Sequence, residues 1–314
     1  MALLASVTLT GFGGGNGLVS IGAGLRGPAG WHASVFAQGV PLVSAFAWNS
    51  QGRLWATASG ANTHPHDGVF VIEGGKPVER AYLRGPLGLV WVGRTLYVSS
   101  LGLVTAFPDG RSSARRTVLV GPKGGGENNN LVRAPDGELV MGVSASCDHC
   151  VPTSRWSGSI VAFRPNGSGL RVYARRIRAP FGLAFYPGTN RLYATLNQRD
   201  DLGAETTGDV LARIRDGDDR RFPGCYDQGG AACAGVSKPV ASLDPHAAAG
   251  GVAFLDGVAY VAEWNRGKVL RVTLDGRVTT ALTGLRNPLP VAVRGGMLYV
   301  GDWGTGRIYR IAVH

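Results

Sequence analysis

Lysine is nearly missing from this chain. Only Lys76, Lys123, Lys238 and Lys268 occur among 314 residues, so most of the 32 basic side chains are arginine. The net charge is +11 and the pI about 10.0, but the arginines are scattered, often one per turn or strand end. A nucleic-acid protein gathers such charge into a basic face or tail. Nucleic acid is therefore not expected as a partner; general solubility is the first reading of the charge and a functional anionic ligand the second. Helical periodicity is also absent: no window repeats apolar residues every three to four positions over a dozen residues, which predicts almost no helix. Long apolar runs are missing too. The first dozen residues, MALLASVTLTGF, are too short to span a membrane and carry no basic lead, so they read as a secretory-signal remnant or a loose N-terminal lead.

Glycine and proline are abundant, with 49 and 17 residues and no collagen period, which suggests many tight turns between short strands. The hydrophobic content of 44% is ample for a core. Length alone would allow two ordinary domains or one closed all-β domain. The stretch from Arg178 to Asn197, RAPFGLAFYPGTNRLYATLN, reads as turn, strand, turn, strand. Versions of it start near Ser44, Leu87, Asn130, Phe181, Gly250 and Leu289, 39 to 69 residues apart, each followed by a second and a third strand. The last repeat ends at His314 after three strands, which would leave an open sheet edge. The strand-like segment WHASVFAQG, Trp31 to Gly39, would fill that place. The expected fold is all-β, a six-bladed β-propeller over 31–314 whose last blade is closed by an N-terminal strand, after a lead over 1–30.

Four cysteines form two close pairs, Cys147 with Cys150 and Cys225 with Cys233. Disulfides in an oxidising compartment suit such pairing, and export to a secreted or periplasmic location follows. The rival for CDHC is a thioredoxin-type redox motif, but that motif opens a helix and this one follows the strand LVMGVS. Zinc would need a second pair of matching spacing.

In a propeller, the turns entering each first strand and the loops between second and third strands meet at one mouth of the central channel. Asn62, His64, His66, Asp148, His149, Asn197, Arg199, Asp200, Trp264, Asn265, Arg266, Asp302 and Trp303 belong to those loops. Glu127, Asn128, Asn129, Asn130, Arg178, His246, Arg286 and Asn287 belong to the entering turns. This rim reads as polar and cationic, suited to an anionic, hydrogen-bonding ligand. The bland readings are specific as well: the asparagines as turn caps, His64 and His66 as a solvent loop, Trp264 and Trp303 as packing repeats.

The fourth repeat, RAPFGLAFYPGTNRLYATLNQRDDLG, with DVLARI, FPGCY and CAGVSKPVASLDPHAAAGGVAFLDG, resembles the soluble glucose and sorbosone dehydrogenase family. EWNRGKVLRV and NNNLVRAPDGELVMGVSASCDHC extend the likeness over roughly 127–272. The resemblance implies a monomeric six-bladed oxidoreductase that uses pyrroloquinoline quinone (PQQ) with calcium to oxidise a sugar or sugar aldehyde. Carried over by position, Arg178 would hold a cofactor carboxylate, Arg199 and Asp200 would lie in the calcium- and cofactor-proximal loop, and Arg266 would close over the ring. Asn197, Trp264, Asn265 and Arg286 join them as cofactor-binding candidates, and Asp200 with Asp201 as metal candidates. The family's histidine base is replaced: GGGENNNL puts Glu127 or Asn128 there, with His246 as a further catalytic candidate. An unperturbed glutamate is a weaker proton acceptor than histidine by about two pKa units. The polar partner after Arg178 is lost to Ala179, and the acidic residue expected beside VLARI gives way to Asp209-Val210. Two alternatives stand beside oxidation. One is a calcium-dependent lactonase whose ion would be held by Glu127, Asn129, Asn197 and Asp302; the other is a non-catalytic binding propeller.

Overall fold

The computed structural model describes residues 17–60, 65–121, 126–226 and 231–313. The expected loop residues Asn62 and His64 and the first sixteen residues lie outside them.

Six antiparallel sheets form around one axis. Their innermost strands are Val43–Trp48, Gly88–Val92, Asn128–Arg133, Ala179–Phe185, Ala249–Leu255 and Pro288–Arg294, each within two residues of the expected start. Each innermost strand packs on the next and the sixth packs on the first, so the ring is closed. His32–Gln38 supplies the fourth strand of the sixth blade, pairing with Arg307–Ala312 from Ala312↔His32 to Arg307↔Gln38. The circle is thus fastened by a strand from the far end of the chain, and the edge left after the last repeat is paired. Helix among the described residues is limited to four three-residue 3₁₀ turns.

Burial on both faces explains the second and third strands. In Leu54–Ala58, Leu139–Val143 and Ser159–Phe163 every residue is buried, because both faces of a blade pack on neighbouring blades. Glycine in the innermost strands has a steric cause. A Cβ on Gly182 would lie 2.3 Å from Gly250 O of the next blade, so a side chain there would force the blades apart. Hydroxyls then tie the blades: Thr195 Oγ1 donates to Gly250 O at 2.7 Å and accepts from Gly182 N at 2.7 Å, and Ser99 Oγ donates to Asn129 O at 2.6 Å.

Two features were not expected. The segment read as a lead to residue 30 contains a hairpin, Val19–Gly22 with Leu25–Gly27. It is ordered because Ile21 and Leu25 are buried in the cluster between blades five and six, and Arg26 and Thr283 exchange two backbone hydrogen bonds of 3.0 Å. In the long fourth-blade connection, Asp218–Asp219 crosses to pair in parallel with the outer strand of blade three, Arg171–Arg175. Both cysteine pairs are disulfides, which fits an oxidising compartment. Cys147–Cys150 lies in a loop after the second strand of blade three, with no helix to make it a thioredoxin-type motif. No helix of the described residues is long and apolar enough to cross a membrane.

Candidate functional site

Ser59, Leu87, Glu127, Phe181, Ala249 and Trp303, one from each blade, line a cavity of about 290 Å³ at the channel mouth, with Asn197, Ala248, Trp264 and Leu289. The walls are mainly apolar and aromatic. Trp264 and Trp303 meet edge to face, centroids 5.4 Å apart at 69°, and form a corner; Trp303 Nε1 donates to Ser59 O at 2.8 Å and is fixed across the junction of blades six and one. Two oxygens in this lining, Ser59 Oγ and Asn197 Oδ1, lack a hydrogen-bond partner among the described residues, and the Glu127 carboxyl lines the same cavity. Burial alone pushes the Glu127 carboxyl above the usual glutamate value.

A second cavity of about 330 Å³ adjoins it, sharing Asn197, Ala248 and Trp264. Its lining adds Arg178, Gln198, Asp200, Asp209, His246 and Asn265. His246, in left-handed backbone at φ 49°, places Nδ1 2.8 Å from Asp200 Oδ1, and Asn265 Nδ2 donates to His246 O at 3.0 Å. Arg178 Nε donates to Asp148 Oδ1 at 2.7 Å and its Nη2 to Asp200 at 3.2 Å. Asp209 is buried and accepts from Gln198 N at 2.8 Å and Ala249 N at 2.9 Å, clasping the loop of blade four to the first strand of blade five. Desolvation lifts its carboxyl to about 6 despite those two donors.

The two cavities thus gather Glu127, His246, Arg178, Asn197, Asp200, Trp264 and Asn265 from the expected set. The remaining candidates lie elsewhere. Asn128 is buried in its strand and its amide donates to Ser100 O at 3.0 Å, tying blade three to blade two. Arg199 grips Asp201 through two hydrogen bonds, of 2.6 and 2.5 Å. Arg266 reaches back to Pro245 O, and Arg286 uses its backbone N–H on Asp302 at 3.0 Å; neither lines a cavity.

The expected cationic rim is neutralised from within, because Asp148, Asp200 and Asp201 sit on loops that bring carboxylates to Arg178 and Arg199. The expected metal pair is separated in role: Asp200 faces His246 and Arg178, while Asp201 faces Arg199 and His149. Ligand atoms of Asp148, His149 and Asp201 do lie within 4.8 Å of one another, but both carboxylates already hold a guanidinium. Burial and guanidinium pairing act on the rim in opposite senses. The hydrogen bonds from Arg199 hold Asp201 well below the usual carboxylate range.

Sequence reasoning missed Ser59, Phe181, Gln198 and the clasp role of Asp209. A signal existed for the clasp: Asp67-Gly68, Gly208-Asp209 and Gly301-Asp302 repeat an aspartate beside glycine. Asp67 binds Gly60 N and Gly85 N, and Asp302 binds Arg286 N and Asn287 N.

No protein-family model and no curated protein matches the sequence. Among solved structures, this chain is similar to an oxidoreductase described as a glucose dehydrogenase from Thermus thermophilus, at 22% identity over 90% of this chain and 100% of that one, TM-score 0.70. It is also similar to the PQQ-bound aldose sugar dehydrogenase of Streptomyces coelicolor, at 21% identity over 91% and 99%, TM-score 0.74. A propeller described as a gluconolactonase shares 14% identity over 91% and 93%, TM-score 0.63. The chain therefore has the fold of these sugar dehydrogenases, a six-bladed β-propeller that also carries proteins of other described activity.

Proposed function

We propose that the channel mouth binds a neutral, hydroxylated small molecule of the sugar class and that Glu127 exchanges a proton with one of its hydroxyls. The observation that carries this is the cavity itself: acceptor oxygens from three blades, set in aromatic walls, with no cation among the described residues of its lining. A hydroxyl donates to an acceptor, so Ser59 Oγ and Asn197 Oδ1 would each receive a hydrogen bond they lack among the described residues, and the Glu127 carboxylate would accept another. Buried acceptors without partners cost about 1–3 kcal/mol each, so a ligand that supplies donors recovers that cost. The Trp264–Trp303 corner offers apolar faces for the C–H side of a sugar ring. Removed from water, the Glu127 carboxylate is a stronger base than a free one, which partly offsets the loss of a histidine.

A second reading, oxidation of the sugar with PQQ, draws on the likeness to the sugar dehydrogenases. PQQ would supply a hydride acceptor. Its three carboxylates want unpaired guanidinium groups, and the residues present do not fit them: Arg178 and Arg199 are held by aspartates, Arg266 and Arg286 line neither cavity, and Asp200 and Asp209 outnumber Arg178 in the flanking cavity. Calcium fares similarly, since Asp200 and Asp201 are spent on cations. The lactonase set is also dispersed: Asn129 gives its amide to Ser144 Oγ and Pro180 O, and Asp302 is buried on backbone amides.

Ligand-detected NMR with a panel of aldoses and polyols, on the wild type and Trp303→Ala, tests the first reading. Binding by the wild type that is lost in the variant supports it; no binding at tens of millimolar sinks it. Titration with PQQ and calcium, followed by dye reduction, tests the second. Stoichiometric uptake with sugar-dependent reduction would show that the rim opens to the quinone and would establish oxidation.

A further inference from the structure

We propose that Asp148 is the positioning residue of the channel rim and that the Cys147–Cys150 disulfide is what holds it there, so that reduction of this bond loosens the rim while the propeller stays folded. The consequence for ligand binding rests on the mouth being the binding site; the clamp itself does not.

Asp148 belongs to blade three, yet its carboxylate serves the loop of blade four. Oδ1 takes Arg178 Nε at 2.7 Å and the amide of Asp200 at 3.1 Å, while Oδ2 takes the amides of Asp200 at 3.0 Å and Asp201 at 2.9 Å. Through these contacts one side chain orients Arg178, and it presents Asp200 to His246. His149, the next residue, adds a contact of 3.1 Å from Nδ1 to Asp201.

Little besides the disulfide fixes the loop that carries Asp148. From Ser144 to Trp156 no residue is fully buried, and Val151 is 75% exposed. Its apolar anchor, Trp156, packs on the core between blades two and three six residues beyond Cys150. Its backbone ties lie on either side of the cysteines: Ser144 N to Glu127 O at 3.0 Å, Ala145 N to Arg178 O at 2.6 Å and Ser146 N to Ser157 Oγ at 3.1 Å ahead of Cys147, and Trp156 N to Ser154 Oγ at 3.3 Å and Ser157 N to Ser154 O at 3.1 Å after Cys150. The disulfide closes the two-residue Asp148-His149 turn into a small ring, and that ring limits the backbone conformations in which Asp148 faces blade four. The second disulfide, Cys225–Cys233, lies in the fourth-blade insertion and does not close the Asp148 turn.

The reduction step is a two-electron exchange with a dithiol reductant. The Cys147–Cys150 S–S bond breaks, each sulfur leaves as a thiol with one proton, and the dithiol is released as its own disulfide. Asp148 is then carried by an open loop. Arg178 keeps Asp200 and the Asn197 carbonyl, and the amides of Asp200 and Asp201 lose their acceptor.

Amide hydrogen exchange at Asp200 and Asp201 reads the clamp without any ligand. Loss of a charge-assisted acceptor should speed exchange at both by at least about tenfold. This is expected in the dithiol-reduced protein, in Cys147→Ser/Cys150→Ser, and in Asp148→Asn with the disulfide intact. Amides of the closing strand His32–Gln38 should not change, and Cys225→Ser/Cys233→Ser should leave Asp200 and Asp201 protected. Unchanged exchange at Asp200 and Asp201 after complete reduction, verified by thiol labelling, overturns the proposal. So does Asp148→Asn exchanging like the wild type, or reduction that exposes amides of all six blades together. Sugar affinity is then compared between oxidised and reduced protein. A fall on reduction places the clamp upstream of the mouth. Binding absent in both forms, with exchange still altered, counts against the ligand reading and leaves the clamp standing.

Discussion

Replacing Asp209 by asparagine sets two effects against each other at one buried carboxyl. Two backbone N–H groups favour its ionised form, while burial favours the neutral form. The folded protein holds it at about 6 against an ordinary 3.8, so burial wins by about two pKa units, or about 3 kcal/mol. The sign follows from proton linkage. Between 3.8 and about 6 the folded state binds more protons than the unfolded state, so this group's stabilisation is complete below 3.8 and is lost as the pH rises to about 6. Asparagine has no such dependence. In urea unfolding from pH 3.5 to 7.5, Asp209→Asn should therefore gain on the wild type by about 2–3 kcal/mol across that window. The difference between the two proteins cancels the other titrating groups. A gap that stays flat, or widens against asparagine as the pH rises, would show that the amide donors outweigh desolvation and would refute the reasoning.

Glu127→Gln should cut any turnover at the mouth by about 10²–10⁴-fold with much less effect on ligand affinity, as measured by steady-state kinetics beside a binding titration. Since the base acts ionised and burial raises its pKa, wild-type activity should be lost on acidification through a pH above the ordinary glutamate value, a limb that the glutamine variant lacks. Gly182→Ala should cost about 1–3 kcal/mol or more in chemical denaturation, because its Cβ would meet Gly250 O at 2.3 Å. Removing residues 17–39 should open the sixth blade at Arg307–Ala312 and produce aggregation by light scattering; a monomer of wild-type stability would contradict the closing role of His32–Gln38.

The fold was legible because its signal is periodic. FGLAF, LGLVW and GGVAF place glycine where neighbouring backbones nearly touch, and the incomplete last repeat pointed to WHASVFAQG as the missing strand. The hairpin at Val19–Gly27 was not legible, since its order comes from Ile21 and Leu25 docking on blades five and six rather than from its own pattern. The rim was half legible. Glu127, Asn197, His246 and Trp264 could be assigned to the mouth from blade position alone, as could Arg178. Which arginines stay free could not be assigned, because the partners of Arg178 come from 148 and 200, far apart in the chain.

By itself the sequence determined the number of blades, the strand that closes them, and part of the polar set at one end of the channel, because turn chemistry and the strand pattern are local and repeat. Only the tertiary structure decided which charges at that end are paired. Whether a guanidinium is free for a ligand or held by an aspartate depends on distances between loops of different blades, and whether Glu127 is a weak or a strengthened base depends on the walls that exclude water from it.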